Sequence, residues 1–579
     1  MTKNHPNLRK TVSTADLYSD PSPPPIQSSL TRNFTTVQRP RPNPFMQSRS
    51  GQQPAPSRHS IAGPFRSLLD TDNDDFNFRP TQPHKSPTPP PVPPKLKLPP
   101  VQRIPLRREC TKVDPAQYTK PFCDYLTNNP TVFHAIDAVA KDLEAHGYSK
   151  LSERDRWSLK KGGKYYVERN GSSLVAFAVG DGYEPGNGAA ILAGHVDALT
   201  AKLKPIPKLR TRAGYMQLGV APYAGALNNT WWDRDLGVGG RVLVKEEGKI
   251  VSKLVKLDWP IARIPTLAPH FGAAASGPFN KETQMVPIVG LDNSDITGSK
   301  DENWMPSLLG GAGAFTATQP ERLVKAISKE LGITDYSKIV NWELELFDIQ
   351  PATVGGLEKE FIFAGRIDDK LCSWAAIQAL INSTDSQASS SQIKIVGLFD
   401  DEEIGSLLRQ GARGNFLPTV IERVVDSFAD SNITSLISRS YANSFIVSSD
   451  VTHAVNPNFL NAYLENHSPR LNVGLSVSAD SNGHMTTDAV STAILQRCAD
   501  NCGAKLQVFQ IRNDVRSGGT VGPMLSAKTG IRAIDAGIPQ LSMHSIRATT
   551  GALDPGLGVI AFQGFLDHFE HVDVEFKPS

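Results

Sequence analysis

The chain has 579 residues, and half of its 44 prolines lie in the first 110 positions, where 16 basic and 7 acidic residues give a local charge of +9. The remainder holds 45 basic against 51 acidic residues, or −6, so the overall +3 describes neither part. A uniformly basic nucleic-acid binder is excluded, because the larger part is mildly acidic and has no Lys/Arg run interleaved with aromatics. No apolar run approaches the ~18 residues needed to span a bilayer.

Residues 1–112 read as a disordered, basic, Pro-rich leader. Runs at 23–25 and 87–94 favour extended polyproline II, and few aliphatic residues are there to bury. Its stretches 91–97 and 103–108 suit aromatic-lined grooves of Pro-motif-binding domains, with a solvated tail as the plainer reading. Lys3, Arg9 and Lys10 are followed by polar residues and proline where a signal peptide needs an apolar core, so no secretory signal is expected. Five cysteines without a CxxC pair point to a reducing compartment, hence cytoplasmic synthesis. Cys498 and Cys502, four apart in a helical stretch, read as buried thiols before half of a metal site.

From 113 the pattern becomes globular. Val132, Ile136, Val139 and Leu143 form a helical stripe within 128–146, with Asn or Thr to cap it and Gly147 to stop it. Strands are predicted at 163–168, 173–179 and 189–193. Between 206 and 356 short apolar runs such as 241–245 and 253–257, and one good helix at 320–331, describe a β-rich insert. Strand–helix alternation resumes over 357–579: strands at 361–364, 392–399, 444–449, 506–511 and 540–543, helices at 371–381 and 487–498. The expectation is an α/β fold with a mostly parallel sheet, built from 113–205 and 357–579 around the insert.

Five of these strands each lead into His, Asp or Glu: His195 and Asp197, Asp368, the run Asp400 to Glu403, Asp450, and His544. Open α/β sheets bind ligands outside the carboxyl ends of their strands, so these residues are expected to meet in one crevice. A single Asp after a strand is usually a cap, and a lone His is usually structural. Four consecutive acids are harder to explain that way, because crowded carboxylates repel unless protonated or shared by a cation. Two His, two Asp and two Glu suit two divalent ions, with five ligands and one base. The lack of thiolate favours zinc, cobalt or manganese. Asp368 can bridge; one of Glu402 and Glu403 binds while the other stays free as a base; Asp197 can hold the second imidazole nitrogen of His195. No nucleophile elbow, Walker loop or dinucleotide fingerprint competes.

These residues sit in text that resembles the M18 metalloaminopeptidases: Gly194-His195-Val196-Asp197, Trp232-Asp233-Arg234-Asp235, Arg263-Ile264-Pro265-Thr266, Asp401-Glu402-Glu403-Ile404-Gly405-Ser406, Asn456-Pro457-Asn458-Phe459 and Met543-His544-Ser545-Ile546-Arg547. The likeness covers roughly 118–570 and is nearer to the vacuolar aminopeptidase I branch than to the aspartyl aminopeptidases. It implies a zinc-peptidase domain with an inserted dimerisation domain. One zinc would be held by His195, Asp368 and Asp450 and the other by Asp368, Glu403 and His544, with Glu402 as general base. It also implies peptide substrates, a homo-oligomer of dodecameric type, contact of the leader with an autophagy receptor, and delivery to the vacuole as an open question.

The aspartyl branch has a histidine before Thr-Trp in the insert, where this chain has Asn229, and a Lys and a Tyr where it has Ala479 and Met485. A buried substrate carboxylate needs a positive partner, so a neutral or apolar, leucine-like first residue is expected, with an acidic one as the alternative. Asn229, His453, His484 and Arg516 are the candidate substrate-binding residues, with His270 as a further cleft candidate. A catalytically silent cargo particle is the non-enzyme alternative; the complete set of six residues speaks against it.

Overall fold

In the computed structural model, residues 113–297, 309–385 and 390–577 are described, all within one compact unit. The leader expectations, at 1–112, lie outside the described residues.

A nine-stranded sheet organises the α/β part, in the order Ser149–Leu151, Lys164–Arg169, Ser173–Val179, Ile393–Phe399, Ala189–His195, Phe445–Ser448, Arg532–Gly537, Leu475–Ala479, Leu506–Gln510. Five of its eight neighbouring pairs run parallel. The four central strands, from Ile393–Phe399 to Arg532–Gly537, are all parallel, so their carboxyl ends open on one edge. The register sets Phe399 beside His195 and Ser448 beside Ala193, which brings the segments after three strands to one level.

Strands covered on both faces carry apolar residues without interruption. All seven residues of Ala189–His195 are buried. Ala190 and Leu192 enter one core, packed by the helices Thr119–Asn128, Val132–Ala145, Ile367–Asp385 and Asp554–Glu575; Ala189, Ile191 and Ala193 enter the other, under Phe416–Phe428 and Val521–Thr529. The stripe predicted in 128–146 forms the helix Val132–Ala145. The Thr131 side chain caps it by accepting from His134 N, and Gly147 leaves it at φ +83°.

A six-stranded antiparallel sheet with its own core lies between Thr200 and Asp348, in the order Lys249–Ala262, Leu236–Glu246, Ile339–Asp348, Thr200–Lys208, Tyr215–Tyr223, Ile288–Leu291. Its strands reach 14 residues, longer than the broken apolar runs suggested.

Two expectations about the site strands need correction. Phe361–Ala364, which precedes Asp368, belongs to a separate three-stranded sheet with Thr353–Gly355 and Ala548–Gly551. The strand expected at 540–543 is only Pro539–Gln540, paired with Thr452–His453. Beyond it the chain turns, with Ser542 and His544 both at positive φ. Cys498 is buried and Cys502 half-buried, and neither is in a disulfide. Among the described residues no helix is long and apolar enough to cross a membrane.

Candidate metal centre

His195 ends its strand fully buried, and its two ring nitrogens have different surroundings. Nδ1 stands 3.1 Å from Asp197 Oδ1. Nε2 faces three carboxylates: Asp368 Oδ1 at 3.3 Å, Asp450 Oδ1 at 3.6 Å and Glu402 Oε2 at 3.9 Å. The other oxygen of Asp368 lies 3.6 Å from His544 Nε2, which is also 3.4 Å from Glu403 Oε2. Two ligand groups result, His195/Asp368/Asp450 and Asp368/Glu403/His544, sharing Asp368 and each with donor atoms within 4.8 Å of one another.

Local backbone geometry explains why adjacent glutamates diverge. Asp401 at φ +62° and Gly405 at φ +90° bracket a single 3-10 turn, Glu402–Ile404. Inside it the Glu402 and Glu403 amides donate to the two oxygens of Asp197, each at 3.2 Å. The Tyr223 hydroxyl, from the inserted sheet, donates to Asp197 Oδ2 at 2.7 Å. Asp197 thus orients an imidazole and fastens the turn that carries both glutamates. Burial alone would raise its pKa, but the His195 and Tyr223 contacts and the Glu403 amide outweigh it and hold the carboxyl below its usual range.

The remaining electrostatics run the opposite way. Burial, then repulsion by Asp450, Asp197 and Asp368, pushes Glu402 up to about 8 against the pull of His195. Glu403 is raised well above the usual carboxylate range by burial and then Asp368. For His195, burial disfavours the charged form, but Asp450, Asp197 and Asp368 win and raise it. Glu403 Oε1 is buried with no hydrogen-bond partner among the described residues. A cluster that leaves an orphaned carboxylate oxygen and resists ionisation is fitted to a cation, which removes both penalties. Its imidazole and carboxylate donors suit zinc, and also cobalt or manganese.

The profile of the family described as "Aminopeptidase I zinc metalloprotease (M18)" matches residues 125–566. The chain belongs to the M18 aminopeptidase family. Vacuolar aminopeptidase 1 of Saccharomyces cerevisiae is 45% identical, over 79% of this chain and 89% of that protein. Aspartyl aminopeptidase 4 of the same yeast is 38% identical, over 82% and 99%. Among solved structures, Chaetomium thermophilum mApe1 is 56% identical with a TM-score of 0.74, covering 80% of this chain and all of that one. The S. cerevisiae mApe1 dodecamer gives 40% and 0.70, over 80% and 99%. The Ape4 and Nbr1 complex gives 35% and 0.75, over 81% and 89%. The chain is thus an M18 family aminopeptidase, a zinc metalloprotease family.

The candidate substrate residues of this M18 chain are dispersed. His453 is half-buried and packs against Phe509 with ring centroids 5.5 Å apart and the ring planes tilted by 54°; burial lowers its pKa, against the fields of Asp368 and Asp450. The His484 ring pairs with Asp480 Oδ2 at 2.7 Å and so fastens its own turn. Asn229, His270 and Arg516 are exposed, and among the described residues no carboxylate pairs with Arg516. Other residues at the centre had no sequence signal. Asp369 accepts from His195 N at 3.3 Å and from Val451 N at 3.2 Å, tying two strand ends together. Lys370, 1% exposed, donates to Val196 O at 3.0 Å. Beside it lies a cavity of about 40 Å³ whose lining includes Lys202, Tyr223, Glu345, Lys370, Asp400 and Glu403.

Proposed function

We propose that this M18 aminopeptidase removes single N-terminal residues, preferably neutral or apolar and leucine-like, from peptides at a two-cation centre. His195, Asp368 and Asp450 hold one ion; Asp368, Glu403 and His544 hold the other; zinc is the favoured metal. The observation that carries the reading is the pair of ligand groups joined through Asp368, with the Glu402 carboxylate beside them and outside both. When bound, the ions supply Lewis-acid polarisation of the peptide carbonyl and acidify water.

The chain's own residues do the rest. Asp197 holds His195 Nδ1, leaving Nε2 free toward the cluster. Glu402 is fixed through its amide beside the cluster and belongs to neither ligand group, so its carboxylate takes the proton of the attacking water and returns it to the leaving amine. The acidic cluster attracts the free α-ammonium group and so places cleavage after the first residue. Glu402→Gln is expected to lower kcat by about 10³-fold with both ions retained; unchanged kcat would remove Glu402 from the mechanism.

The leucine-like preference rests on the neutral Ala479 and Met485 and on the 45% likeness to a vacuolar aminopeptidase 1. A second reading, preference for N-terminal Asp or Glu, is favoured by the exposed Arg516, which no carboxylate among the described residues pairs, and by the aspartyl relative. A panel of aminoacyl substrates separates them: a tenfold preference for Asp or Glu over Leu selects the second. We further propose a dodecamer, cytoplasmic synthesis with vacuolar delivery, and recognition of residues 1–112 by an autophagy receptor, supported by the mApe1 dodecamer and the Ape4 and Nbr1 complex. A monomeric native mass, or an unchanged cellular distribution after deletion of 1–112, would overturn the corresponding proposal.

A further inference from the structure

His544 is the least supported of the five metal-binding candidates. The strand before it is two residues long, and Leu541 makes the last bridge, to Thr549. After that the backbone leaves the sheet, with Ser542 at φ +62° and His544 at φ +64°. A histidine keeps that conformation only where its surroundings hold it. Its imidazole is 53% exposed, whereas that of His195 is 2% exposed. Packing therefore fixes His195 but not His544.

What holds the His544 segment comes from the inserted sheet's region. Asn228 Nδ2 donates to His544 O at 2.9 Å. The Thr230 hydroxyl donates to Asn228 Oδ1 at 2.6 Å and accepts from Ile546 N at 2.9 Å. These bonds close a ring around the ligand. The carbonyl of one residue and the amide two positions on are the groups that one residue of a parallel neighbouring strand engages. Here two side chains replace the strand that the fold does not provide. The turn is itself anchored: Asn228 Oδ1 accepts from Thr230 N at 3.0 Å, and the next residue, Trp231, is 1% exposed in the core of the insert, against which Ile546 also packs.

We infer that Asn228 and Thr230 are positioning residues for His544, acting through its backbone, so that this one turn of the insert sets the affinity of one of the two ion sites and leaves the other untouched. This rests on the reading of His544 as a metal ligand. It also gives the Asn228-Asn229-Thr230-Trp231 turn a role separate from substrate selection.

The test is metal content of the full-length protein, dialysed against a zinc series buffered by chelator, for wild type, Asn228→Ala, Thr230→Val, Thr230→Ser and His544→Ala. Asn228→Ala and Thr230→Val are expected to bind one ion as wild type does and the other at least about tenfold more weakly, the usual size of such outer contacts. Thr230→Ser, which keeps the hydroxyl, is expected to restore the second ion. Wild-type binding of both ions in Asn228→Ala and Thr230→Val, while His544→Ala loses one, overturns the inference and leaves the metal reading intact. Equal weakening of both ions also overturns it, as a general loss of structure. If His544→Ala itself keeps both ions at full affinity, the ligand reading fails and the inference falls with it.

Discussion

Gly537 shows how closely the candidate metal centre is packed at the level of single atoms. A Cβ at this position would lie 1.6 Å from Asp450 O and 2.5 Å from the Asp450 carbonyl carbon, distances that real Cβ atoms essentially never show. The obstacle is backbone and cannot swing aside, so alanine must move the segment that carries Asp450. Gly537→Ala is expected to lower kcat/KM by about 100-fold or more, because a displacement near 1 Å at a reacting centre has that effect. Gly503→Ala is the contrast: φ is +74° with nothing within 4 Å, so it is expected to cost about 1 kcal/mol of stability and leave activity unchanged. Steady-state kinetics and thermal melts on the pair would separate the effects, and full activity in Gly537→Ala would show that Asp450 needs no fixed backbone. At this scale the sequence was readable only where chemistry repeated itself. His195, Asp368, Glu403, Asp450 and His544 each followed a recognisable strand and are brought together. Asp369, Tyr223, Asn228 and Thr230 act through contacts 26 to 316 positions away, which no local pattern records.

Elements with one dominant period were legible, and those without one were not. The helix Val132–Ala145 shows its stripe because it is polar on the outside, and the central strands stand out as unbroken apolar runs. The helix Asp554–Glu575 left no such trace, since it buries residues around much of its circumference and carries glycines where other elements come close. A Cβ at Gly564 would lie 2.3 Å from Cys502 Sγ, and one at Gly558 2.5 Å from Ile538 Cδ1. Both lower helix propensity; Gly564 permits the packing of Asp554–Glu575 on Ala489–Cys502, and Gly558 the approach of Ile538 and Ala375. Gly564→Ala gains about 1 kcal/mol of intrinsic propensity but forces a thiol out of place, and overpacking of this kind typically costs 1–3 kcal/mol. A net loss of up to about 2 kcal/mol is expected in denaturant unfolding, with kcat unchanged because the neighbours of Gly564, Cys502 and Cys498, take no part in the ligand groups. The double variant Gly564→Ala/Cys502→Ala should recover most of it; if it does not, the close approach is not what makes Gly564 necessary. The shortness of the strand before His544 was equally hidden, because the alternation Gln540-Leu541-Ser542-Met543 reads as a strand whether or not a neighbour pairs with it.

The whole molecule couples these scales through charge. Without cations, the folded state confines carboxylates that burial raises above their unfolded values: Glu402 to about 8 and Asp400 to about 7, with Glu403 also raised. Such groups bind more protons folded than unfolded, so their contribution to stability is present below the unfolded carboxylate range and is lost as pH rises through the folded values. His195, also raised, has the same sign, its contribution fading as pH climbs above the ordinary imidazole range. Asp197 is lowered, so its contribution persists throughout neutral pH. Metal-free protein should therefore become steadily less stable between about pH 5 and pH 8. Divalent cations replace the protons and remove the repulsion, which turns the same crowding into a source of affinity that grows with pH. Melting the chelated and zinc-loaded proteins side by side is expected to give a gap in Tm that widens from pH 6 to pH 8. A gap that is constant or narrows over this range would mean that the buried acids are neutralised by something other than bound metal, and that the cluster at the strand ends serves the fold before it serves the reaction.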